Sequence, residues 1–216
     1  WNLEDPAEET ERRIHAVCLL HNITARYLGV RLFVSSGRDQ PCVIARSDRN
    51  GTFIVQPVIE RIVAEIIAKK IDVLRIDPFV SCHEVAEHDN TAIEMVAKEW
   101  ARVADRANCA VELVHHSRKV GDAEVTADAS RGASALVNAC RSVRVINRMT
   151  KEEAERAGVD QARLYFRVLT DKLNLAPPAE KSDWYRLESI SLGNGPPSDH
   201  VGVVVPPLTR TNLAGD

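Results

Sequence analysis

Three apolar stretches of this 216-residue chain each end in side chains that can bind a cation or contact an anion. Glu4 follows residues 1–3, Asp77 follows the run "VLRI", and His115 with His116 follow "AVELV". We expect the apolar runs to be buried strands, and ligands of open α/β sheets bind where the strands end. A carboxylate there can hold Mg²⁺ through a water molecule, while an imidazole can contact a phosphate.

Each of these patterns also has an ordinary structural explanation. An aspartate after a strand can cap a turn or a helix, and a histidine in a loop can be satisfied by backbone groups. The stretch "SRGASAL" places Arg131 and several small residues at the start of a predicted helix. That arrangement suits an anion site, but it also suits a simple turn.

Basic side chains in the second half of the chain leave a similar choice open. Arg141, Arg144 and Arg148 lie along a predicted helix end and strand, and Lys172 lies near the end of a late strand. Such residues are commonly solvated surface groups. One or two of them could instead reach a nucleotide on a neighbouring molecule, as arginine fingers or as a trans-acting lysine.

The stretch "CHEVAEHD" contains the ligand types of a metal site. His83 and His88 are five positions apart, so they do not share one face of a helix. Their order also matches neither H-E-x-x-H nor H-x-x-E-H. We therefore expect a solvated loop here rather than a metal centre.

The composition is that of a soluble globular protein, with 44% hydrophobic residues, 27% charged residues and a net charge of −3. It gives no global attraction to nucleic acid or to a membrane surface. No apolar run reaches the roughly 18 residues of a membrane span. Five scattered cysteines without a C-x-x-C pair indicate reduced thiols and a cytoplasmic location.

The periodicity of the apolar residues predicts helices that alternate with strands. Helices are expected over residues 6–21, 57–70, 89–107, 133–141 and 151–158. Strands are expected over residues 31–36, 71–79, 109–119, 142–149, 162–177 and 183–193, with a hairpin over 42–56 turned at Asn50-Gly51 and one more short strand in the tail. This order predicts an α/β fold with a doubly wound, mostly parallel sheet, helices on both faces and partly antiparallel strands near the C-terminus.

The order of the polar segments is more specific than any one of them. An acid after the first strand is followed by "RIDPF", "VHHSRK", "SRGASALV", "VINR" and "DKLNLAP". This order resembles the RecA-type ATPase core, most closely the RepA-like ATPases, a branch that includes a hexameric plasmid replication helicase. The resemblance extends over nearly the whole chain, and it implies a RecA-like fold that uses ATP and Mg²⁺.

The resemblance also implies roles for the strand-end residues. Glu4 corresponds to the glutamate that polarises the attacking water. Asp77 corresponds to the Walker B aspartate, which holds Mg²⁺ through water. His116, or His115 beside it, corresponds to the sensor of the γ-phosphate.

Further residues acquire roles only through the same resemblance. The loop of residues 118–130 corresponds to a segment that faces DNA in helicases, which makes Arg118, Lys119 and Arg131 candidates for contact with single-stranded DNA. Arg141 and Arg148 both fall where relatives carry an arginine finger, and Lys172 corresponds to a lysine directed at the neighbouring subunit's nucleotide. These trans-acting groups imply a homo-oligomeric ring, in the family a hexamer.

A RecA-type ATPase also needs the phosphate loop G-x-x-x-x-G-K-[ST], and the 216 residues contain no such motif. In the family that loop precedes the strand that ends at Glu4. We therefore expect the C-terminal two-thirds of a RepA-like ATPase that couples ATP hydrolysis to DNA transactions, with this chain inactive in isolation. Residues 1–192 would form the core without its Walker A segment, and residues 193–216 a C-terminal strand and tail.

Two other readings of the same residues stay open. The chain could be a non-catalytic module with a RecA fold that binds DNA or protein. It could also belong to a regulatory or recombination ATPase related to KaiC or RadA. The sequence does not determine the ring size, the identity of the arginine finger or whether unwinding occurs.

Overall fold

The computed structural model describes residues 1–116, 125–126, 134–174 and 183–208, with residues 206–208 described by their backbone only. Within these ranges the chain forms two compact units. The first contains residues 1–10, 25–116 and 134–140, and the second contains residues 11–24, 125–126, 141–174 and 183–208.

The described chain is a mixture of helices and strands in the predicted order. The helices are α1 (Ala7–His21), α2 (Ala25–Leu28), α3 (Gln56–Lys69), α4 (Asn90–Ala107), α5 (Ser134–Ala139) and α6 (Lys151–Ala157), with short 3₁₀ turns at Phe79–Cys82 and Ala162–Leu164. The strands are β1 (Ala45–Asp48), β2 (Gly51–Ile54), β3 (Val73–Ile76), β4 (His83–Glu84), β5 (Ala110–Leu113), β6 (Ser142–Arg148), β7 (Tyr165–Leu173), β8 (Asp183–Ser191) and β9 (His200–Leu208). None of the helices in this part of the chain combines the length and apolar character needed to cross a bilayer.

The first unit contains two groups of strands. β1 pairs with β2 in an antiparallel hairpin and with β4 in parallel, while β3 pairs with β5 in parallel. The predicted hairpin is confirmed, although Asp48 faces Gly51, so the turn lies at residues 49–50, one position earlier than expected. The parallel pair β3–β5 places the ends of both strands side by side, as a site at the strand ends requires.

The predicted strand over residues 31–36 is wrong. Within the described chain this segment makes a single parallel bridge, between Ser36 and Asn2. The reason lies just before it: α2 closes in a turn in which Gly29 has a φ of 51° and the Arg31 N–H donates to the Leu28 carbonyl. The chain becomes extended too late to form a ladder, and its apolar side chains at Val30, for example, stay exposed.

The core of the first unit lies where α3 and α4 pack with the strands. The buried side chains of α4 recur every three or four positions, at Ala92, Ile93, Val96, Trp100 and Val103. That spacing puts them on one face of the helix. The helix begins where the Asp89 carboxylate accepts from the Thr91 and Ala92 N–H groups, at 3.0 and 3.1 Å, and it ends at Asn108 in the left-handed conformation.

The second unit is built on a four-stranded antiparallel sheet in the order β6-β7-β8-β9. Helix α6 begins with a capping box in which Thr150 and Glu153 satisfy each other's backbone N–H groups, and it ends at Gly158 with a φ of 66°. The predicted antiparallel strands near the C-terminus are confirmed. The structure is therefore a mixed α/β fold with parallel and antiparallel sheets, while the doubly wound arrangement and the division at residue 192 stay predictions.

Candidate functional site

The first residues of the chain run beside the end of β3. The Asp77 N–H donates to the Trp1 carbonyl at 3.1 Å, and the Leu3 N–H donates to the Asp77 carbonyl at 2.6 Å. Alternating bonds of this kind are those of a parallel pair of strands. They place Glu4 immediately beyond the edge of the sheet, next to Asp77, as the sequence predicted.

A turn built on Asn2 sets the direction of the chain at Glu4. The Asn2 Oδ1 atom accepts from the N–H groups of Glu4 at 3.0 Å and of Asp5 at 2.8 Å. The Asn2 Nδ2 atom donates to the Asp5 carboxylate at 3.0 Å. This side chain therefore satisfies two backbone donors at once, which fixes the backbone that carries the Glu4 carboxylate.

Residues 36–38 hold the same turn from the other side. The Ser36 hydroxyl, on a residue that is 3% exposed, donates to the Asp5 carbonyl at 2.9 Å. The Gly37 N–H donates to the Asn2 carbonyl at 2.7 Å, and Arg38 Nε donates to the Glu4 carbonyl at 3.1 Å. We call residues 36–38 the clamp, because each of them bonds to the segment that presents Glu4.

Gly37 is needed for this close approach. A Cβ atom at position 37 would lie 2.7 Å from the Leu3 Cα atom and 3.0 Å from the Leu3 carbonyl oxygen, both of which are backbone atoms. We therefore expect Gly37→Ala to lower the free energy of unfolding by about 1–3 kcal/mol, measured by urea denaturation of the chain. Gly202→Ala is the matched control, since nothing lies within 4 Å of its added Cβ. Equal stabilities of the two variants would contradict this role for Gly37.

The end of β5 brings an imidazole to Glu4. The Val114 N–H donates to the Ile76 carbonyl at 2.9 Å, and the Phe79 N–H donates to the Val114 carbonyl at 2.6 Å, so the chain stays beside β3 beyond the last strand residue. His116 Nε2 lies 3.9 Å from Glu4 Oε2. These side chains are 66% and 55% exposed, so the ion pair is weak and both groups can turn toward a ligand.

The other histidine of the pair, His115, points to a different environment. Its ring lies edge-on to Phe79, with 6.1 Å between centroids, and its Nδ1 atom is buried without a hydrogen-bond partner among the described residues. Phe79 also contacts His83, with centroids 4.8 Å apart. Burial lowers the pKa of both histidines below 6.5, although the Glu87 carboxylate acts in the opposite direction. Of the two neighbours, His116 is thus the one placed to meet a phosphate.

The lowered pKa of His83 makes the stability of the fold sensitive to acid. The unfolded chain takes up a proton near pH 6.5, while buried His83 resists protonation until a lower pH. Stability is therefore complete above pH 6.5 and falls as the pH drops from there toward the folded-state pKa. We expect urea denaturation to show this acid loss in the wild type and a smaller loss in His83→Asn, which keeps an acceptor for the Val85 N–H.

The exposed neighbour supplies the control for that measurement. His88→Asn removes a histidine from the same loop without removing a buried ring. It should leave the acid loss of stability as it is in the wild type. An identical pH dependence in wild type and His83→Asn would contradict the assignment to His83.

The oxygen donors at this edge fit Mg²⁺. In the described part of the chain no three His, Cys, Asp or Glu side chains are placed to hold a metal ion by themselves. Mg²⁺ does not require such a cage, because it is commonly bound by one or two carboxylates, several waters and the phosphates of a nucleotide. Asp77, with Glu4 beside it, provides that kind of partial site.

The other predicted residues are distributed differently. Arg141 and Arg148 are exposed at the two ends of β6 in the second unit, and Lys172 lies opposite Val143 on β7. Arg118, Lys119 and Arg131, the candidates for contact with DNA, lie outside the described residues.

Sequence reasoning missed the residues that position Glu4. Asn2, Ser36 and Gly37 carry no motif, and the bond of Ser36 to Asp5 joins positions 31 residues apart. The one local signal is an asparagine three residues before an aspartate, the pattern of a turn in which the side chain bonds to the following backbone.

The comparisons with known proteins agree with this geometry. Residues 1–122 match the family described as AAA domain. Among solved structures, the ATPase domain of a replicative helicase matches with a TM-score of 0.50 and 14% sequence identity, over 86% of this chain and 69% of that chain. At this identity the match shows the fold, which is that of a RecA-like ATPase domain. A comparison with curated protein sequences gives no match.

Proposed function

This chain belongs to the AAA domain family, and from that premise we propose that it provides the hydrolytic edge of a RepA-like ATPase that couples ATP hydrolysis to transactions of single-stranded DNA. One observation carries the proposal. The ends of three neighbouring segments bring Glu4, Asp77 and His116 together, through the bond of Leu3 to Asp77 and the 3.9 Å separation of the Glu4 and His116 side chains.

Each of the three residues has a distinct proposed role. Glu4 accepts a hydrogen bond from water and directs the oxygen of that water at the terminal phosphorus. Asp77 holds the hydration shell of Mg²⁺, and the bound Mg²⁺ neutralises charge on the phosphates. His116, next to Glu4, donates to a terminal phosphate oxygen and loses that partner when the phosphate leaves. Positioned charges of this kind supply most of the catalysis of phosphoryl transfer.

We propose that the phosphate loop is supplied by the protein outside these 216 residues, since the sequence contains no G-x-x-x-x-G-K-[ST]. We call the protein that contains both parts the parent protein. On this proposal residues 1–192 are the core without its Walker A segment, residues 193–216 are a strand and tail, and this chain alone does not hydrolyse ATP.

The exposed basic residues of the second unit fit a role between subunits. We propose that Arg141 or Arg148 acts as an arginine finger and that Lys172 contacts the nucleotide of the neighbouring subunit. Both functions require a ring, which in the resembled family is a hexamer. The loop of residues 118–130, with Arg118, Lys119 and Arg131 in or next to it, would face single-stranded DNA. The proposed location is the cytoplasm, where ATP and DNA are both present.

The experiment that tests the coupling to DNA is the rate of Mg²⁺-ATP hydrolysis by the parent protein with and without single-stranded DNA. We expect the DNA to raise the rate, and we expect double-stranded DNA of the same length to raise it less. Hydrolysis that is the same with and without either DNA would contradict the coupling and leave an ATPase with another purpose. A parent protein that binds DNA but neither binds nor hydrolyses ATP would instead be a non-catalytic module.

A further inference from the structure

Asn147 in β6 is a buried amide in the middle of a strand, where an apolar residue would be expected. It is 7% exposed, whereas its neighbour Ile146 is 64% exposed. Successive side chains of a strand point to opposite faces, so β6 buries its amide and exposes its isoleucine. A buried amide is unfavourable unless its hydrogen bonds are satisfied, and this reversal therefore needs a specific partner.

That partner is the backbone of Val125. The Val125 N–H donates to Asn147 Oδ1 at 2.8 Å, and Asn147 Nδ2 donates to the Val125 carbonyl at 2.8 Å. The two bonds together hold both backbone polar groups of one residue, 22 positions away in the sequence. Only an amide side chain offers a donor and an acceptor with this spacing, since aspartate lacks the donor and leucine lacks both.

The anchor on the strand side is itself well fixed. Asn147 faces Arg167 on β7. Arg167 bonds to Glu153 at 3.1 Å, and its guanidinium lies 5.4 Å from the ring centroid of Trp184. Asn147 is therefore part of a sheet with defined contacts on neighbouring elements, and it can hold Val125 in a fixed place.

We propose that Asn147 is a positioning residue for DNA binding. It fixes Val125, near the middle of the loop of residues 118–130, so that the loop meets single-stranded DNA in one arrangement. The inference rests on the proposed function, which assigns DNA contact to this loop. Fixing the loop before binding reduces the conformational freedom that is lost in the complex, and this raises affinity without any contact between Asn147 and DNA.

The test compares Asn147→Ala with wild-type parent protein in two measurements. Amide hydrogen exchange at Val125 should become at least about tenfold faster, because the N–H loses its buried acceptor. Affinity for an oligothymidylate should fall by about three- to tenfold, as expected when a segment must be ordered on binding. Asn174→Ala, which changes an exposed asparagine of the same unit, should alter neither quantity.

A second variant approaches the same contact from the loop. Val125→Pro removes the N–H that Asn147 accepts and leaves β6 unchanged, so it keeps the test decisive if Asn147→Ala fails to fold. It should reproduce the loss of affinity for the oligothymidylate. Wild-type affinity in both folded variants, or unchanged exchange at Val125 in Asn147→Ala, would overturn the inference. Absence of binding by the wild type would instead overturn the proposed function.

Discussion

Replacing Glu4 by glutamine in the parent protein is expected to lower the rate constant of ATP hydrolysis by about 10²–10⁴-fold, the usual contribution of a positioned base. The amide keeps the size of the side chain but cannot attract a proton from the attacking water. The bonds that place residue 4 use its backbone N–H and carbonyl, with Asn2 and Arg38, and the substitution leaves them unchanged. Hydrolysis under single-turnover conditions is the measurement.

Binding of ATP separates this role from a structural one. The dissociation constant of Mg²⁺-ATP should stay close to that of the wild type in Glu4→Gln, because the side chain is 55% exposed and contributes to turnover rather than to folding. Glu8→Gln is the matched control, an exposed glutamate in the first turn of α1, and it should hydrolyse ATP normally. A Glu4→Gln protein that retains turnover within about threefold of the wild type would show that another group orients the water.

Replacing Trp100 by alanine is expected to lower the free energy of unfolding by about 3–5 kcal/mol. The side chain is 1% exposed in the core of the first unit, and its Nε1 donates to Cys82 Sγ at 3.3 Å. Removing the ring leaves a cavity between α4 and the segment that follows Asp77, which the neighbouring residues fill only in part. Urea denaturation followed by far-ultraviolet circular dichroism measures the loss without relying on tryptophan fluorescence.

Two companion variants identify the cause of that loss. Trp100→Phe keeps most of the ring and removes the N–H donor, so it should cost about 1–2 kcal/mol. Val30→Ala, at a side chain that is 84% exposed, should stay within about 0.5 kcal/mol of the wild type. A loss below about 1 kcal/mol in Trp100→Ala would mean that the packing around α4 does not hold the first unit together.

The parts of the fold that the sequence predicted are those governed by local patterns. Helix α4 follows from the spacing of Ile93, Val96 and Trp100 and from the cap at Asp89, all of which lie within one short segment. The meeting of Glu4, Asp77 and His116 could also be predicted, because parallel strands that are buried end at a common edge. These inferences need only periodicity and the rules of sheet topology.

The parts that could not be predicted depend on contacts between distant residues. The clamp of residues 36–38 forms only because the chain returns to Leu3, and nothing near Gly37 in the sequence indicates that a backbone will approach its Cα so closely. The extended run at residues 31–36 has the composition of a strand but makes one bridge within the described chain. In the same way, Asn147 looks like a polar interruption of an apolar strand until its bonds to Val125 are known.

The most direct test of the proposed site is Mg²⁺-dependent ATP hydrolysis, measured side by side on the parent protein, on its Asp77→Asn variant and on this 216-residue chain. We predict turnover by the parent protein, a loss of about 10²-fold or more in Asp77→Asn that excess Mg²⁺ restores only in part, and no turnover by the chain alone. Wild-type turnover in Asp77→Asn, or a parent protein that neither binds nor hydrolyses ATP, would contradict the assignment of this sheet edge as a hydrolytic site.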